Sequence, residues 1–319
     1  MKKYLIIGYY GNANFGDEVM LQALLEKLNY KENFITVTSG DFPIKYQNVE
    51  YFPMHSIMAN NSISKLKRVY KVLLNTRKII QEVDKIFIGG GTLIKNNTGS
   101  NILLLLITLI AKLKRKRVEF ISIGIENLNF INSQISKIIF FLANSIGVRD
   151  KNSFSFIKKV NFTPDLAIEK FSNIKLNKNR KTSIIAPALF NGENLEEKTN
   201  EYISFFKKLN IIRPILIVSQ SLNKNSDLQL CKNIYQRIDS QVVVLKNFDD
   251  VRDFSYYGTV ISERYHIGIL SCFIDSSLIL VGRSNKIRTL AEELEVDCYS
   301  NLEETKLTFK KPQIRGILE

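Results

Sequence analysis

Two rounds of one alternation constrain this chain more than any other feature. Short apolar runs at 3–8, 34–38, 84–88, 118–123 and 145–148 are separated by segments of helical length and period at 16–28, 65–83, 102–113 and 131–143. A lysine-rich polar stretch, 173–181, breaks the pattern, which then starts again. Runs at 183–186, 215–219, 242–245, 259–261 and 278–281 alternate with helical segments at 196–209, 227–238, 265–273 and 285–294. Strand–helix alternation on this scale argues for parallel sheets covered on both faces. The expectation is an α/β chain of two Rossmann-like domains, each with a mainly parallel sheet, facing a cleft. The polar stretch places the join, giving an amino-terminal domain over 1–172 and a carboxy-terminal domain over 173–319. A length of 319 residues is ample for two cores.

Charge narrows the partners. Basic side chains number 45 against 31 acidic ones, a formal net charge of +14. That balance favours something anionic: a nucleotide, a phosphorylated lipid, a membrane surface or a nucleic acid. Much of the lysine is scattered, as solvated faces require. Nucleic-acid binders cluster their charge with exposed aromatics. Only 112–117 approaches that, so nucleic acid is not an expected partner. Lys114-Arg115-Lys116-Arg117 follows the apolar helix and reads in two ways. It is a solvated helix end, where cations are favoured, or a basic patch facing a membrane. The longest apolar run, 102–111, is about half a membrane span. No cleavable signal of the usual shape opens the chain. A cytoplasmic location is expected, at most peripheral at the inner face of the cell membrane. Cys231, Cys272 and Cys298 are odd in number and far apart, which indicates neither a disulfide framework nor a metal site. They read as reduced thiols.

The ends of the apolar runs carry the chemistry. Open α/β sheets bind ligands outside the carboxyl ends of their strands. The helix that follows offers free N–H groups and a positive dipole end. From Gly8 to Glu18 the chain makes a strand end, a glycine loop and a helix start, with Asn14 beside Gly16-Asp17. This is neither G-x-G-x-x-G nor a phosphate loop, and alone it supports any ligand-binding α/β fold. Gly89-Gly90-Gly91 closes another run; a substrate can lie against such main chain, or the glycines only make a flexible turn. Arg149 stands at a strand end, with Asp150 able to cap the next helix. Ser262-Glu263-Arg264-Tyr265-His266 joins the run at 259–261 to a helix. Arg264 offers a fixed guanidinium for phosphate or carboxylate. His266, one of two histidines, can move a proton near neutral pH. The plainer reading gives Arg264 a carboxylate partner and makes His266 a satisfied core residue.

Taken in order, these elements resemble the polysaccharide pyruvyl transferase family. Gly8-Tyr9-Tyr10-Gly11-Asn12-Ala13-Asn14-Phe15-Gly16-Asp17-Glu18 is similar to its amino-terminal G-Y-x-G-x-x-N-x-G-D-E signature, and Gly89-Gly90-Gly91 to its glycine loop. Arg149-Asp150-Lys151-Asn152-Ser153 resembles its R-D-x-x-S element, and Asp165-Leu166-Ala167 its D-x-A element. Arg264-Tyr265-His266 resembles its R-x-H core, and Lys286 stands where the family has a lysine. Two departures touch the acceptor pocket: Ile125-Glu126 replaces a glycine-proline, and Asp275-Ser276-Ser277 replaces a small-residue-proline turn.

The resemblance implies a GT-B-like fold with the active site between two domains and no essential metal or cofactor. It implies transfer of the pyruvyl unit of phosphoenolpyruvate to a sugar, as a cyclic ketal over two hydroxyls, with release of phosphate. The acceptor would be a cell-surface glycan or its lipid-linked or nucleotide-linked precursor. In that reading Arg149, Arg264 and Lys286 clamp the anionic donor, and His266 is the general acid. Asn14, Asp17 and Gly89, Gly90 and Gly91 face the acceptor from the amino-terminal domain. The runner-up is a GT-B glycosyltransferase that uses the same cations on a nucleotide-sugar diphosphate. A non-catalytic protein that binds anionic glycan or nucleic acid is the reading from another class.

Overall fold

The computed structural model describes residues 2–29, 33–38, 44–53, 65–126, 128–150, 153, 160–176, 180–190, 192–221, 226–254, 256–282, 284–308 and 310–318. It forms two compact units. The first comprises Met1–Asn12 and Met20–Leu166, the second Ala13–Val19 and Ala167–Glu319.

The first unit is built on seven parallel strands: β1 (Lys3–Ile7), β2 (Asn33–Thr38), β3 (Val49–Pro53), β4 (Lys85–Ile94), β5 (Arg117–Ile125), β6 (Ser145–Val148) and β7 (Asn161–Phe162). Their order is β3-β2-β1-β4-β5-β6-β7. Strand order therefore reverses between β1 and β4, where such sheets open a crevice at their carboxyl ends. The helices are α1 (Phe15–Lys27), α2 (Lys65–Glu82), α3 (Thr98–Leu113) and α4 (Phe130–Leu142). Asn97 caps α3 by accepting from the Ser100 N–H, and Asn129 caps α4 by accepting from the Asn132 N–H. Leu104, Ile107 and Ala111 of α3 and Ile139 and Phe140 of α4 pack with Ile86, Ile88, Val118 and Phe120 of the sheet.

The second unit repeats the plan. Its parallel strands are β8 (Arg180–Ala186), β9 (Ile215–Val218), β10 (Gln241–Val244), β11 (Tyr256–Ser262), β12 (Ser277–Val281) and β13 (Asp297–Tyr299). The order β10-β9-β8-β11-β12-β13 reverses between β8 and β11. After α5 (Leu166–Phe171), which stands at the boundary, come α6 (Leu195–Lys208), α7 (Asp227–Tyr235), α8 (Tyr265–Ser271), α9 (Asn285–Leu294) and α10 (Arg315–Leu318). The core joins Tyr202, Phe205 and Phe206 of α6 to Leu216 and Val218 of β9 and Ile261 of β11.

Three points differ from the sequence reading. The units divide at Leu166/Ala167 rather than at 172/173, and β8 begins inside the stretch read as linker. Lys175, within that stretch, donates its backbone N–H to the Arg252 carbonyl at 2.8 Å, so it packs with the second unit. The segment Ala13–Val19 also belongs to the second unit. Phe15 donates its N–H to the Ser219 carbonyl at 2.8 Å, and the Ser221 N–H reaches the Ala13 carbonyl at 3.2 Å. Phe15 is buried and stacks on Phe171 at 5.9 Å between centroids. Finally, Gly89, Gly90 and Gly91 do not follow β4 as a loop; they lie within it.

Candidate active site

In the second unit, β11 ends at the strand reversal and hands the chain to α8. Ser262 makes the turn tight. Its hydroxyl accepts from the Arg264 N–H at 2.9 Å and donates to the Arg264 carbonyl at 2.8 Å. Glu263 turns inward and is buried. One carboxylate oxygen accepts from Lys198 Nζ at 3.0 Å; the other accepts from the Tyr202 hydroxyl and from the Ala188 N–H at 2.9 Å. Burial, and then the Glu263 charge, pushes the Tyr202 phenol well above its ordinary range. Burial pulls the Lys198 ammonium down, but Glu263, Glu193 and Glu201 together more than offset it, and its pKa ends up raised. A charged lysine thus neutralises a buried carboxylate, and the pair locks α6 and the loop after β8 onto the residue before Arg264.

Arg264 is the N-cap of α8. Its guanidinium closes on Asp227, the first residue of α7, with Nε 2.9 Å from Oδ2 and Nη2 on Oδ1. Asp227 is fully buried and also accepts from the Leu189 N–H at 3.2 Å. Burial raises the Asp227 carboxyl pKa, Arg264 opposes that, and the net shift is upward. The Phe190 ring covers the guanidinium at 5.3 Å. The expectation of an open guanidinium therefore needs correcting. Two of the three nitrogens are committed to Asp227, and Nη1 is the one outside that pair.

His266 lies in the first turn of α8 and is buried. Its imidazole occupies the space that a side chain at Gly16 would need: an ideal Cβ there would sit 1.7 Å from Nδ1. Gly16 is held in turn by Asn14, whose Oδ1 accepts from the Gly16 N–H at 3.1 Å. Asn14 is thus spent on capping α1, and neighbouring Asp17 is buried at 8% exposure. Tyr265 meets the imidazole edge-on at 5.3 Å, and Lys286 Nζ lies 4.3 Å from the Tyr265 ring centroid. Lys286 is exposed at the start of α9. Gly16, His266, Tyr265 and Lys286 form one continuous string within the second unit. Asn14 and Asp17, expected with the amino-terminal half, belong to this unit as well.

The remaining candidates lie in the first unit. The glycines of β4 make room for protein rather than solvent. A Cβ at Gly89 would lie 2.4 Å from the Ile121 carbonyl oxygen of β5, and one at Gly90 would lie 2.5 Å from the Tyr10 hydroxyl. That hydroxyl donates to the Gly89 carbonyl at 2.8 Å. Gly90 and Gly91 also have φ of +74° and +99°, which side chains resist. Arg149 is buried, with 1% of its side chain exposed. Its Nη1 pairs with Asp165 Oδ2 at 2.9 Å and its Nη2 donates to Thr92 Oγ1 at 3.1 Å. The R-D-x-x-S and D-x-A elements thus meet in a buried ion pair, where an open anion clamp was expected. Asp150 accepts from the Ser153 N–H at 2.7 Å, and Ser153 Oγ accepts from the Ile125 N–H at 2.7 Å. These bonds tie the ends of β4, β5 and β6 together. Lys151, Asn152 and the second histidine, His55, lie outside the described residues.

Burial favours the protonated form of all three thiols, Cys298 included. Burial pushes Cys231 well above its ordinary range and Cys272 up to about 12. Among the described residues no helix is long and apolar enough to cross a membrane.

Comparison with known proteins agrees with this architecture. The family model described as polysaccharide pyruvyl transferase matches residues 14–272. Among functionally curated proteins, none matches the sequence. Solved structures resemble the chain in fold. UDP-GlcNAc 2-epimerase from Neisseria meningitidis, bound to UDP-GlcNAc, superposes with a TM-score of 0.58 at 11% identity, over 95% of this chain and 89% of its own. UDP-N-acetylglucosamine 2-epimerase from Rickettsia bellii gives 0.56 at 12%, over 92% and 81%. A glycosyltransferase from Rickettsia africae gives 0.54 at 11%, over 94% and 84%. At such identity the likeness speaks for the fold alone, which is of the GT-B type.

Proposed function

Because the chain belongs to the polysaccharide pyruvyl transferase family, and is therefore a transferase, we propose that it moves the pyruvyl unit of phosphoenolpyruvate onto a sugar of a cell-surface glycan or of its lipid-linked or nucleotide-linked precursor. One observation carries the reading. His266 of the R-x-H element is seated on Gly16 of the amino-terminal signature, so two motifs distant in sequence build one spot at a strand reversal.

The chemistry follows from the donor. A proton from the His266 imidazolium goes to the methylene carbon of phosphoenolpyruvate, and the adjacent carbon, which bears the phosphate oxygen, becomes electrophilic. One sugar hydroxyl adds there and gives up its proton. A second hydroxyl then displaces phosphate and closes the ketal, also releasing its proton. Asp17 is the candidate to orient the first hydroxyl or to take its proton. Arg264 Nη1 and the Lys286 ammonium are the candidate cations for the carboxylate and phosphate. Arg149, closed on Asp165, serves the frame. Gly89 and Gly90 serve the packing of β4 against β5 and Tyr10.

The second reading, nucleotide-sugar transfer, draws on fold neighbours solved with UDP or UDP-GlcNAc. Incubation with a panel of lipid-linked and nucleotide-linked sugars separates the two. Phosphate released from phosphoenolpyruvate, with a pyruvyl ketal in the product, supports the first. UDP released from a nucleotide sugar, with phosphoenolpyruvate untouched, supports the second.

A further inference from the structure

The outer faces of α3 and α4 are apolar where a solvated pair of helices would be polar. Of the thirteen large apolar side chains exposed among the described residues, seven belong to these two helices. On α3, Ile102, Leu109 and Leu113 fall on one outward stripe, seven and four residues apart. On α4, Phe130, Ile138 and Phe141 do the same. The exposure is not marginal, since Leu113 is 82% and Phe141 88% accessible. The two helices lie side by side. Asn101 of α3 donates to Asn132 of α4 at 2.7 Å near their starts, and Lys112 reaches Asn144, just beyond α4, at 3.4 Å near their ends. Leu113 and Phe141 therefore crown the same end of one surface.

That end is also rich in basic residues. Lys112 precedes Leu113, Lys114, Arg115 and Lys116 follow it, Lys137 lies one turn before Phe141, and neither helix contains an acidic residue. A sheet-covering helix normally puts polar residues outward. Here the outward residues are apolar side chains bordered by cations. This combination suits the boundary of a bilayer, where rings and aliphatic chains enter the acyl edge and ammonium groups meet anionic headgroups. A partner protein would bury the apolar part equally well, but it would have no general reason to require two helices whose charged residues are all basic. We propose that the α3–α4 face, led by Leu113 and Phe141, docks the protein on an anionic lipid surface. This inference stands whether or not pyruvyl transfer does, and it fits an acceptor carried on a lipid.

The test uses the full chain, which contains no tryptophan. Phe141→Trp then places a single indole on the proposed face without disturbing the core. Vesicles of phosphatidylcholine alone are compared with an equal mixture of phosphatidylcholine and phosphatidylglycerol. The expected result is a blue-shifted emission, quenched by a lipid-borne quencher, with the anionic vesicles only. Each lysine near an anionic lipid surface contributes about fivefold to such binding, so Lys114→Gln with Lys137→Gln lowers vesicle affinity on the order of 25-fold. Leu113→Ser with Phe141→Ser releases the protein from the vesicles, as read by co-sedimentation, with unchanged circular dichroism. Unchanged emission with either vesicle overturns the proposal. Binding that leaves the introduced indole in water overturns this face as the docking surface. A blue shift that follows protein concentration rather than lipid, with a dimer in sedimentation, assigns the face to a second copy instead.

Discussion

Replacing Gly16 by alanine puts a methyl group where the His266 imidazole now sits. The new Cβ would lie 1.7 Å from Nδ1 and 2.2 Å from Cγ, whereas ordinary contact starts at 3.4 Å. The ring, or the first turn of α1, must retreat by the difference, about 1.7 Å. Neither has easy room. Every residue of α8 from Tyr265 to Ser271 is buried, and Phe15 beside Gly16 is wedged against Phe171. Overpacking of this kind costs about 1–3 kcal/mol of stability. A misplacement of about 1 Å costs a positioned catalytic group roughly 10²-fold in rate. Turnover of Gly16→Ala should therefore fall on the order of 10²-fold. The KM for phosphoenolpyruvate should change far less, because the Asp227 fork holds Arg264 independently of Gly16. The assay is steady-state phosphate release at saturating donor, with urea unfolding in parallel to separate rate from folded fraction. Gly99→Ala is the control. Its Cβ would meet nothing nearer than 3.5 Å, and an exposed helical glycine should gain up to about 1 kcal/mol on this change. Native turnover and native stability in Gly16→Ala would refute the packing argument. A turnover loss that only tracks the unfolded fraction would refute the catalytic one.

Asp227→Asn keeps the shape but removes the charge that fixes Arg264. By the measure of buried pairs the cost is up to about 3–5 kcal/mol, and less here because Arg264 can reach water. Donor KM should rise more than kcat falls, and equal effects on both would count against a positioning role. Asp165→Asn should be harsher on stability, because Arg149 has no route to water: roughly 3–5 kcal/mol in urea unfolding. A loss below about 1 kcal/mol would show that the pair is dispensable. The third expectation concerns acid. Asp297 is held below the usual carboxylate range first by its hydrogen bond from Lys310, against an opposing effect of burial. A lowered carboxylate pKa gives stability that is present above the unfolded value of 3.8 and is lost as pH falls through the folded one. Lys310→Gln should therefore flatten the acid limb of the unfolding midpoint and leave the midpoint's pH dependence near neutrality unchanged. A steeper acid limb in the variant would reverse the argument.

The regular elements were legible wherever periodicity spoke. The segments expected at 65–83 and 285–294 are α2 (Lys65–Glu82) and α9 (Asn285–Leu294), whereas the one at 16–28 is α1 (Phe15–Lys27), buried on every face from 15 to 25 and so without a clear apolar stripe. Strands hid where composition disguised them. Val49–Pro53 carries Glu50 and ends in proline, which only an edge strand tolerates, and β3 is at the edge. β13, also at an edge, is three residues long. The start of β8 was masked by Arg180 and Lys181, and the glycines of β4 looked like a loop because their Cβ space is filled by Tyr10 and by β5. In the site, the arginines were legible but their partners were not. Asp227 reads locally as an ordinary helix start, Asp165 stood out only as the first residue of a D-x-A element, and only the folded chain brings them to Arg264 and Arg149. Lys198 and Tyr202 gave no local signal of holding Glu263. Gly16 and His266 were each visible as motif residues, but their contact spans almost the whole chain.

The central claim is that this family member passes a pyruvyl group from phosphoenolpyruvate to a sugar with His266 as the proton donor. The most direct measurement is phosphate release from phosphoenolpyruvate in the presence of the acceptor panel, with mass analysis of the product, for the native chain and for His266→Ala. The account predicts phosphate and a ketal-bearing sugar from the native chain. For His266→Ala it predicts turnover lower by about 10²–10⁴-fold while the donor still binds. Intact phosphoenolpyruvate beside a consumed nucleotide sugar would contradict the transfer. A folded, fully active His266→Ala protein would contradict the role of the histidine.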